Sequence, residues 1–143
     1  MITKKKSGKI VVALMAVMVM TAGAMVTASA NNHGDQDFSY YNLDDHEGIT
    51  GFRDKQDSTS SYMKCNHTNA RYEAWVIGKY NREYATARND CSHGYTYKFA
   101  TGTTKFLKNW VYENGYDQAS ICSIWSNPGT YVNANGVWSP DSI

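Results

Sequence analysis

Aromatic residues, rather than leucines, carry most of the hydrophobic content of this 143-residue chain. Eleven Tyr, four Trp and four Phe all follow residue 30, and the only leucines there are Leu43 and Leu107. Aromatic and β-branched side chains favour strands, whereas the helix formers Leu, Met and Gln are scarce in this part of the chain. The composition therefore predicts an all-β fold with a core built mainly from rings.

Alternation of apolar and polar residues supports this interpretation. Residues 72–77 are apolar on both faces, as in a central strand, and residues 95–99 alternate as in a half-buried strand. Further strands are predicted over 106–112, 116–125 and 131–138. Short strands at this spacing, with turn signals between them, indicate a single small antiparallel β-sandwich or barrel-like domain.

The dipeptide Asn114-Gly115 is the strongest local turn signal in the chain. Asn-Gly accepts the positive φ angles of a type I′ turn, which joins two neighbouring strands in a hairpin. We therefore expect a hairpin here that pairs Leu107 with Cys122. Its second strand should end at Asn127-Pro128-Gly129.

Two segments before this hairpin are harder to interpret. Residues 70–88 contain enough helix-forming residues for a helix, but Gly78 interrupts the pattern, so two strands are favoured. Residues 31–60 are polar and acidic, and we expect a loosely ordered N-terminal arm with one edge strand near residues 38–41. Residues 61–143 then form the aromatic-rich β domain.

Residues 1–30 have the three regions of a secretory signal peptide. Lysines at the start precede an apolar run over residues 10–20, and small residues follow up to Ala28-Ser29-Ala30. We expect cleavage after Ala30 and a secreted, extracellular product with no stable membrane anchor after cleavage.

The charge of the remaining chain argues against a nucleic-acid partner. Residues 31–143 carry ten basic and thirteen acidic groups, a net charge of −3 with His neutral. A nucleic-acid binder needs a basic face to neutralise phosphates, and this segment has no excess of basic groups.

Three cysteines, Cys65, Cys91 and Cys122, lie in the part expected to be exported. Exported thiols tend to oxidise, which favours a Cys65–Cys91 disulfide and leaves Cys122 unpaired. Each of the first two begins a C-x-H pair, with His67 and His93. A Cys2His2 metal site and a Cys/His nucleophilic pair are therefore alternatives, although the usual zinc spacings and catalytic signatures are missing.

Other patterns associated with chemistry are weak. The acidic residues of the arm resemble a calcium ligand set in composition but not in spacing. These are Asp35, Asp37, Asp44, Asp45 and Glu47. Glu113 and Asp117 would lie close together across the predicted hairpin, as a glycoside hydrolase requires. The common catalytic and nucleotide-binding motifs do not occur, so no catalytic residue, metal or cofactor is assigned and an enzyme is disfavoured.

The aromatic surplus is the best indication of function. A domain this small has difficulty enclosing nineteen rings, so some should be exposed, where they can stack on sugars or anchor a protein interface. The binding candidates are Trp75, Trp110, Tyr112 and Trp125. Their partner would be a cell-wall glycan or an envelope protein.

Four stretches carry a resemblance to known proteins. They are Ser60 to Cys65, Gly94-Tyr95-Thr96-Tyr97, Tyr112 to Tyr116 and the ending Gly136-Val137-Trp138-Ser139-Pro140-Asp141-Ser142. The chain resembles small exported proteins of Gram-positive bacteria that are grouped as a domain of unknown function. More distantly, it is similar to the lactococcin-type bacteriocins, which are exported β-sandwich proteins that act on wall synthesis. The resemblance implies export and a β fold, and it transfers no catalytic residue.

The sequence therefore predicts an exported, non-enzymatic β-sandwich that acts by binding. It would bind at the cell envelope or on competitor cells, and its most specific form would be bacteriocin-like. One alternative is a small wall- or glycan-active enzyme. The other is a structural or matrix component that is disulfide-linked through Cys122.

Overall fold

The computed structural model describes residues 32–81 and 87–143, and all regular elements in them are strands. They are β1 (Gln36–Leu43), β2 (Gly48–Ile49), β3 (Arg53–Asp54), β4 (Ser61–Thr68), β5 (Tyr72–Lys79), β6 (Asn89–Asp90), β7 (Tyr97–Phe99), β8 (Thr104–Leu107), β9 (Gln118–Trp125) and β10 (Val132–Ser139). The predicted signal peptide, residues 1–30, lies outside the described residues, as does part of the second strand expected within residues 70–88. The described part of the chain contains no helix with the length and apolarity needed to cross a membrane.

The strands form two antiparallel sheets. The first sheet has the order β1-β10-β4-β8. The second has the order β2-β9-β5-β6, with β3 also pairing with β9 and β7 also pairing with β5. The sheets do not close into a barrel, so the predicted all-β class is confirmed in its sandwich form.

Aromatic rings fill much of the space between the sheets, as the composition predicts. The buried rings of Tyr72 and Phe99 stack with centroids 5.3 Å apart, and Tyr40 meets Tyr72 edge-on at 6.0 Å. The Tyr40 hydroxyl lies 3.1 Å from the Ser123 hydroxyl, which joins β1 of the first sheet to β9 of the second. These rings supply the apolar contact area that the missing leucines would otherwise provide.

The expectation of a loosely ordered arm over residues 31–60 is not met by the part that the structure describes. Three strands form within it: β1 pairs with β10, and β2 and β3 pair with β9. Phe38, Tyr40 and Leu43 of β1 are buried in the core. The polar and acidic residues that suggested disorder alternate with these side chains and face outward. The edge strand expected near residues 38–41 is present as β1, at the edge of the first sheet.

The predicted hairpin around Asn114-Gly115 is wrong. β8 ends at Leu107, which lies opposite Ser61 of β4 in the first sheet. Cys122 of β9 lies opposite Trp75 of β5 in the second sheet. The two strands that the hairpin would have paired therefore belong to different sheets.

Asn114-Gly115 instead closes a single helical turn. Tyr116 N–H donates to the Val111 carbonyl at 3.0 Å, and Gly115 N–H donates to the Tyr112 carbonyl at 3.0 Å. This pair of bonds, with a left-handed residue at Gly115 (φ 77°), is a Schellman helix cap. A type I′ turn would also need a positive φ at Asn114, which the structure lacks.

Gly78 does not break the chain as expected but lies inside β5. A Cβ atom at this position would be 2.9 Å from Cys91 Sγ and 3.1 Å from the Tyr116 ring. Glycine therefore lets the segments after β6 and β8 approach the strand closely.

Candidate functional site

A groove of about 440 Å³ lies at one end of the outer face of the first sheet, where the chain turns after β10. Such a volume is within the range of small-molecule pockets in proteins. The groove is lined by His33, Asp35, Tyr62, Phe106, Ser139, Asp141, Ser142 and Ile143.

Two aromatic rings make the apolar part of this groove. Tyr62 of β4 and Phe106 of β8 are directly opposite each other in the sheet, and Ser139 of β10 lies on the other side of Tyr62. The ring centroids are 5.7 Å apart with planes at 54°. Phe106 is 57% exposed although it is a large apolar side chain. The register of three strands thus places an exposed aromatic ledge beside a hydroxyl group.

A buried cation compensates one of the two carboxylates of the groove. The Asp141 carboxylate lies 2.6 Å from Lys55 Nζ, and both side chains are fully enclosed. Burial lowers the pKa of Arg53. The negative charges of Asp141 and Asp35 act in the opposite direction, so both carboxylates are near enough to interact with the Arg53 guanidinium. The charge of Asp141 is consequently balanced within the protein, while the exposed Asp35 presents its carboxylate to the groove.

His33 contributes an imidazole ring to the lining of the groove. Its Nδ1 atom is buried and has no hydrogen-bond partner among the described residues. The Ser139 hydroxyl, by contrast, is used within the protein, because it donates to the Asp141 carbonyl at 2.8 Å. Nδ1 of His33 is thus a buried polar atom without a partner in the described residues, while the rest of the imidazole lines the groove.

The four predicted binding aromatics lie elsewhere and are not brought together. Trp75 is half-buried on β5, and Trp125 is half-buried and packs against the core. Tyr112 is 52% exposed on the helical turn after β8, and Trp110 is half-buried on the same turn. No ring contact joins any two of these side chains in the described ranges.

Trp110 has aromatic neighbours of its own. Its ring stacks on His93 with centroids 4.1 Å apart and planes at 5°, and Tyr95 lies 6.0 Å away at 23°. The Lys108 ammonium lies 5.5 Å from the Tyr95 centroid. These rings contact one another, and none of them lines the groove or the two smaller cavities described by the structure, so the groove is the stronger candidate.

The Cys65–Cys91 disulfide is not formed in the structure. Cys65, Cys91 and Cys122 are all buried, free and distant from one another. Cys65 belongs to β4 of the first sheet, whereas Cys91 follows β6 of the second sheet. Cys122 is unpaired, as expected, but so are the other two.

The two C-x-H pairs do not present sulfur and imidazole together. A β-bulge between β10 and β4 places Cys65 opposite Gly136 but His67 opposite Asn135, so the thiol is buried and the imidazole is exposed. Cys91 is likewise buried and His93 exposed. Burial raises the pKa of Cys65 and Cys91, which leaves little thiolate for metal binding or catalysis.

The predicted carboxylate pair also lacks the expected geometry. Glu113 is exposed on the helical turn, and Asp117 Oδ2 accepts a hydrogen bond of 3.0 Å from Asn81 N–H. Because the hairpin is absent, the cross-strand approach that suggested a hydrolase is lost.

One part of the acidic arm does bring ligand-type groups together. In the described residues, the carboxylates of Asp44 and Asp45 lie 2.9 and 3.0 Å from His46 Nδ1. Hydrogen bonds from His46 lower the pKa of Asp44, and the same pairing raises the pKa of His46. This exposed cluster is internally hydrogen-bonded and identifies no metal site by itself.

Sequence reasoning missed the residues that line the groove. Strand β4 was not predicted, although Ser61, Met63 and Cys65 alternate with more polar neighbours in a pattern of period two. That pattern would have placed Tyr62 on the outer face. The contact between Tyr62 and Phe106 depends on the pairing of β4 with β8, and no local sequence pattern indicates that pairing.

The fold and the groove define a small antiparallel β-sandwich with one exposed aromatic groove. Over residues 25–142 the chain matches the family described as Protein of unknown function (DUF2712), and it belongs to that family. The resemblance to a family of unknown function is thereby confirmed. No curated protein and no solved structure matches the chain.

Proposed function

We propose that this protein is an exported, non-enzymatic binding protein whose groove takes a segment of cell-envelope glycan. The observation that carries the proposal is the exposed Tyr62–Phe106 ledge within a groove of about 440 Å³. Sugar rings combine an apolar C–H face with a rim of hydroxyls. Such a ligand suits an aromatic ledge bordered by a few fixed polar groups.

The charge balance favours a neutral, hydroxyl-rich ligand over an ion. Asp141 is neutralised by Lys55 beneath the groove, and Asp35 lies in the field of Arg53. An ion that binds here would have to lose its hydration shell, and Asp141, whose charge Lys55 already balances, would offer it little compensation. The hydroxyl groups of a sugar can instead hydrogen-bond to the exposed carboxylate of Asp35 without losing a full hydration shell.

Export supports the same proposal because it would bring the protein to that polymer. Residues 1–30 have the basic start, apolar run and Ala28-Ser29-Ala30 site of a secretory signal, so we propose cleavage after Ala30. The target glycan would belong to the producing cell or, in the bacteriocin-like form, to a competitor.

The alternatives have less support. Neither Glu113 nor Asp117 lines the groove or the two smaller cavities of the described residues, which weakens the interpretation as a glycan-active enzyme. A matrix component linked through Cys122 would need that thiol at the surface, and it is only 1% exposed.

The proposal predicts that Phe106→Ala weakens glycan binding at least tenfold. Removing the ring deletes the exposed half of the ledge, and truncating an aromatic hot-spot contact costs about 2 kcal/mol or more, above the roughly 1.4 kcal/mol of a tenfold change. The probe is a soluble set of chitooligosaccharides and peptidoglycan fragments, titrated by calorimetry, with co-sedimentation on purified peptidoglycan as the second assay.

Tyr131→Ala is the matched control because Tyr131 is 59% exposed, close to the 57% of Phe106, and lies outside the groove. It should bind like the wild type. Failure of the wild-type protein to bind any of these glycans would refute the proposal. Equal weakening in both variants would assign binding to general aromatic exposure rather than to the groove.

A further inference from the structure

A buried amine and a buried carboxyl group meet beneath the groove. Lys55 Nζ lies 2.6 Å from Asp141 Oδ1, and neither side chain has exposed surface. Removing both charges from water carries a large penalty. Transfer of one proton from the ammonium to the carboxylate across this contact would give an amine with a free lone pair beside a carboxylic acid.

The second oxygen of Asp141 is held by the backbone. Asp141 Oδ2 accepts from Asn32 N–H at 3.0 Å and from Gln56 N–H at 3.3 Å, and the Gln56 N–H is shared with Oδ1 at 3.4 Å. Backbone N–H groups converging on one oxygen are how proteins stabilise the oxyanion formed when a nucleophile attacks a carboxyl carbon. Oδ2 is thus placed to carry developing negative charge, while Oδ1 faces the amine.

The reacting atoms are already close. Because Nζ lies 2.6 Å from Oδ1, and a C–O bond is about 1.2 Å long, the nitrogen is no more than about 3.9 Å from the Asp141 carboxyl carbon, close to the separation from which attack can begin. The Lys55 ammonium also donates to the Thr59 carbonyl at 2.6 Å, which fixes the direction of the amine.

We propose that Lys55 and Asp141 condense into an intramolecular amide. The Nζ lone pair attacks Cγ of Asp141, a C–N bond forms, and the C–Oδ1 bond breaks. Oδ1 leaves as water with two protons that come from the lysine ammonium. The reaction changes no oxidation state and needs no cofactor.

Asp57 is the group that would carry the protons. Its Oδ1 lies 3.5 Å from Lys55 Nζ. Burial opposes ionisation of Asp57, but hydrogen bonds from Thr59 and the charge of Lys55 outweigh it and hold its pKa below the usual range. Asp57 is therefore ionised at neutral pH and near enough to the amine to accept a proton from it, and that proton is then released with Oδ1 as water.

The bond would tie together two distant parts of the chain. Lys55 lies between β3 and β4, and Asp141 follows β10, 86 residues later in the sequence. The three thiols form no cross-link in this fold. An amide between Lys55 and Asp141 would be a covalent cross-link that, unlike a disulfide, does not depend on the redox state of the surroundings.

The test is the intact mass of the full-length expressed protein under denaturing conditions, with its N-terminus determined by sequencing. The expected mass is below the sequence mass by one water, about 18 Da. Proteolysis should then yield the Lys55 peptide joined to the Asp141 peptide, identified by tandem mass spectrometry. A mass equal to the sequence mass overturns the proposal. This result is independent of glycan binding.

Two variants, with a third as the control, locate the reaction. Lys55→Arg keeps the positive charge but removes the amine nucleophile, so it should show the full sequence mass, whereas Lys105→Arg, at an exposed lysine, should still lose the water. Asp57→Asn should slow the loss at least tenfold. A Lys55→Arg protein that is still one water light overturns the proposal, and unchanged kinetics in Asp57→Asn overturns the role of Asp57.

Discussion

The fold buries all three cysteine thiols, and this burial determines their ionisation and their reactivity. Burial raises the pKa of Cys122 to about 12, with the nearby Glu47 adding to the effect. The thiol form is therefore preferred in the folded state. The stability that this preference contributes is complete below the unfolded thiol pKa of about 8.5 and is lost as the pH rises through the folded values.

We expect none of the three thiols to react with iodoacetamide in the native protein at pH 8, because the thiolate is the reactive form and the sulfurs are inaccessible. After denaturation without reductant, all three should be alkylated and detected by mass spectrometry. Alkylation of only one thiol after denaturation would instead restore the Cys65–Cys91 disulfide. Rapid labelling of the native protein would contradict the burial.

At the scale of the strand, the β10–β4 pairing depends on Gly136. A Cβ there would lie 1.9 Å from the Lys64 carbonyl oxygen and 2.8 Å from the Phe38 ring. The register between β10 and β4 also shifts at Asn135 and Gly136. Glycine is thus required by the close approach of backbone and ring at this bulge.

Gly136→Ala should lower the free energy of unfolding by about 2–3 kcal/mol, because the backbone of β4 or the Phe38 ring must move. Gly34→Ala is the control, since its Cβ would meet only the end of the Arg53 side chain at 3.9 Å. Its effect should stay within about 0.5 kcal/mol. Urea unfolding measures both. Equal stability of the two variants would show that β10 adjusts without cost.

The strands also show how much of this fold local sequence patterns can predict. Period-two alternation correctly placed most of β5, β9 and β10, because a strand's two faces are a local property. The Asn114-Gly115 signal gave a wrong prediction because a residue with positive φ occurs both in hairpin turns and in helix caps. Packing against distant parts of the chain decides between the two. The groove depends on the pairings among β4, β8 and β10, which no local pattern encodes.

At the scale of the whole molecule, the two ends of the described chain complete one core. β1 pairs with β10, and Phe38, Tyr40 and Leu43 lie in the same cluster as Trp138. Lys55 also compensates the charge of the buried Asp141. A division at residue 60 into an arm and a separate domain would therefore cut through the core.

A chain consisting of residues 61–143 should consequently fail to fold. It loses three buried apolar side chains, each worth about 2–5 kcal/mol, and leaves the Asp141 carboxylate without its cation. That loss matches or exceeds the roughly 5–15 kcal/mol by which native domains are stable. Circular dichroism melting and the dispersion of amide NMR signals provide the measurement, with a chain of residues 32–143 as the control. Cooperative melting and a dispersed spectrum for residues 61–143 would show that the first three strands are dispensable, as an independent arm requires.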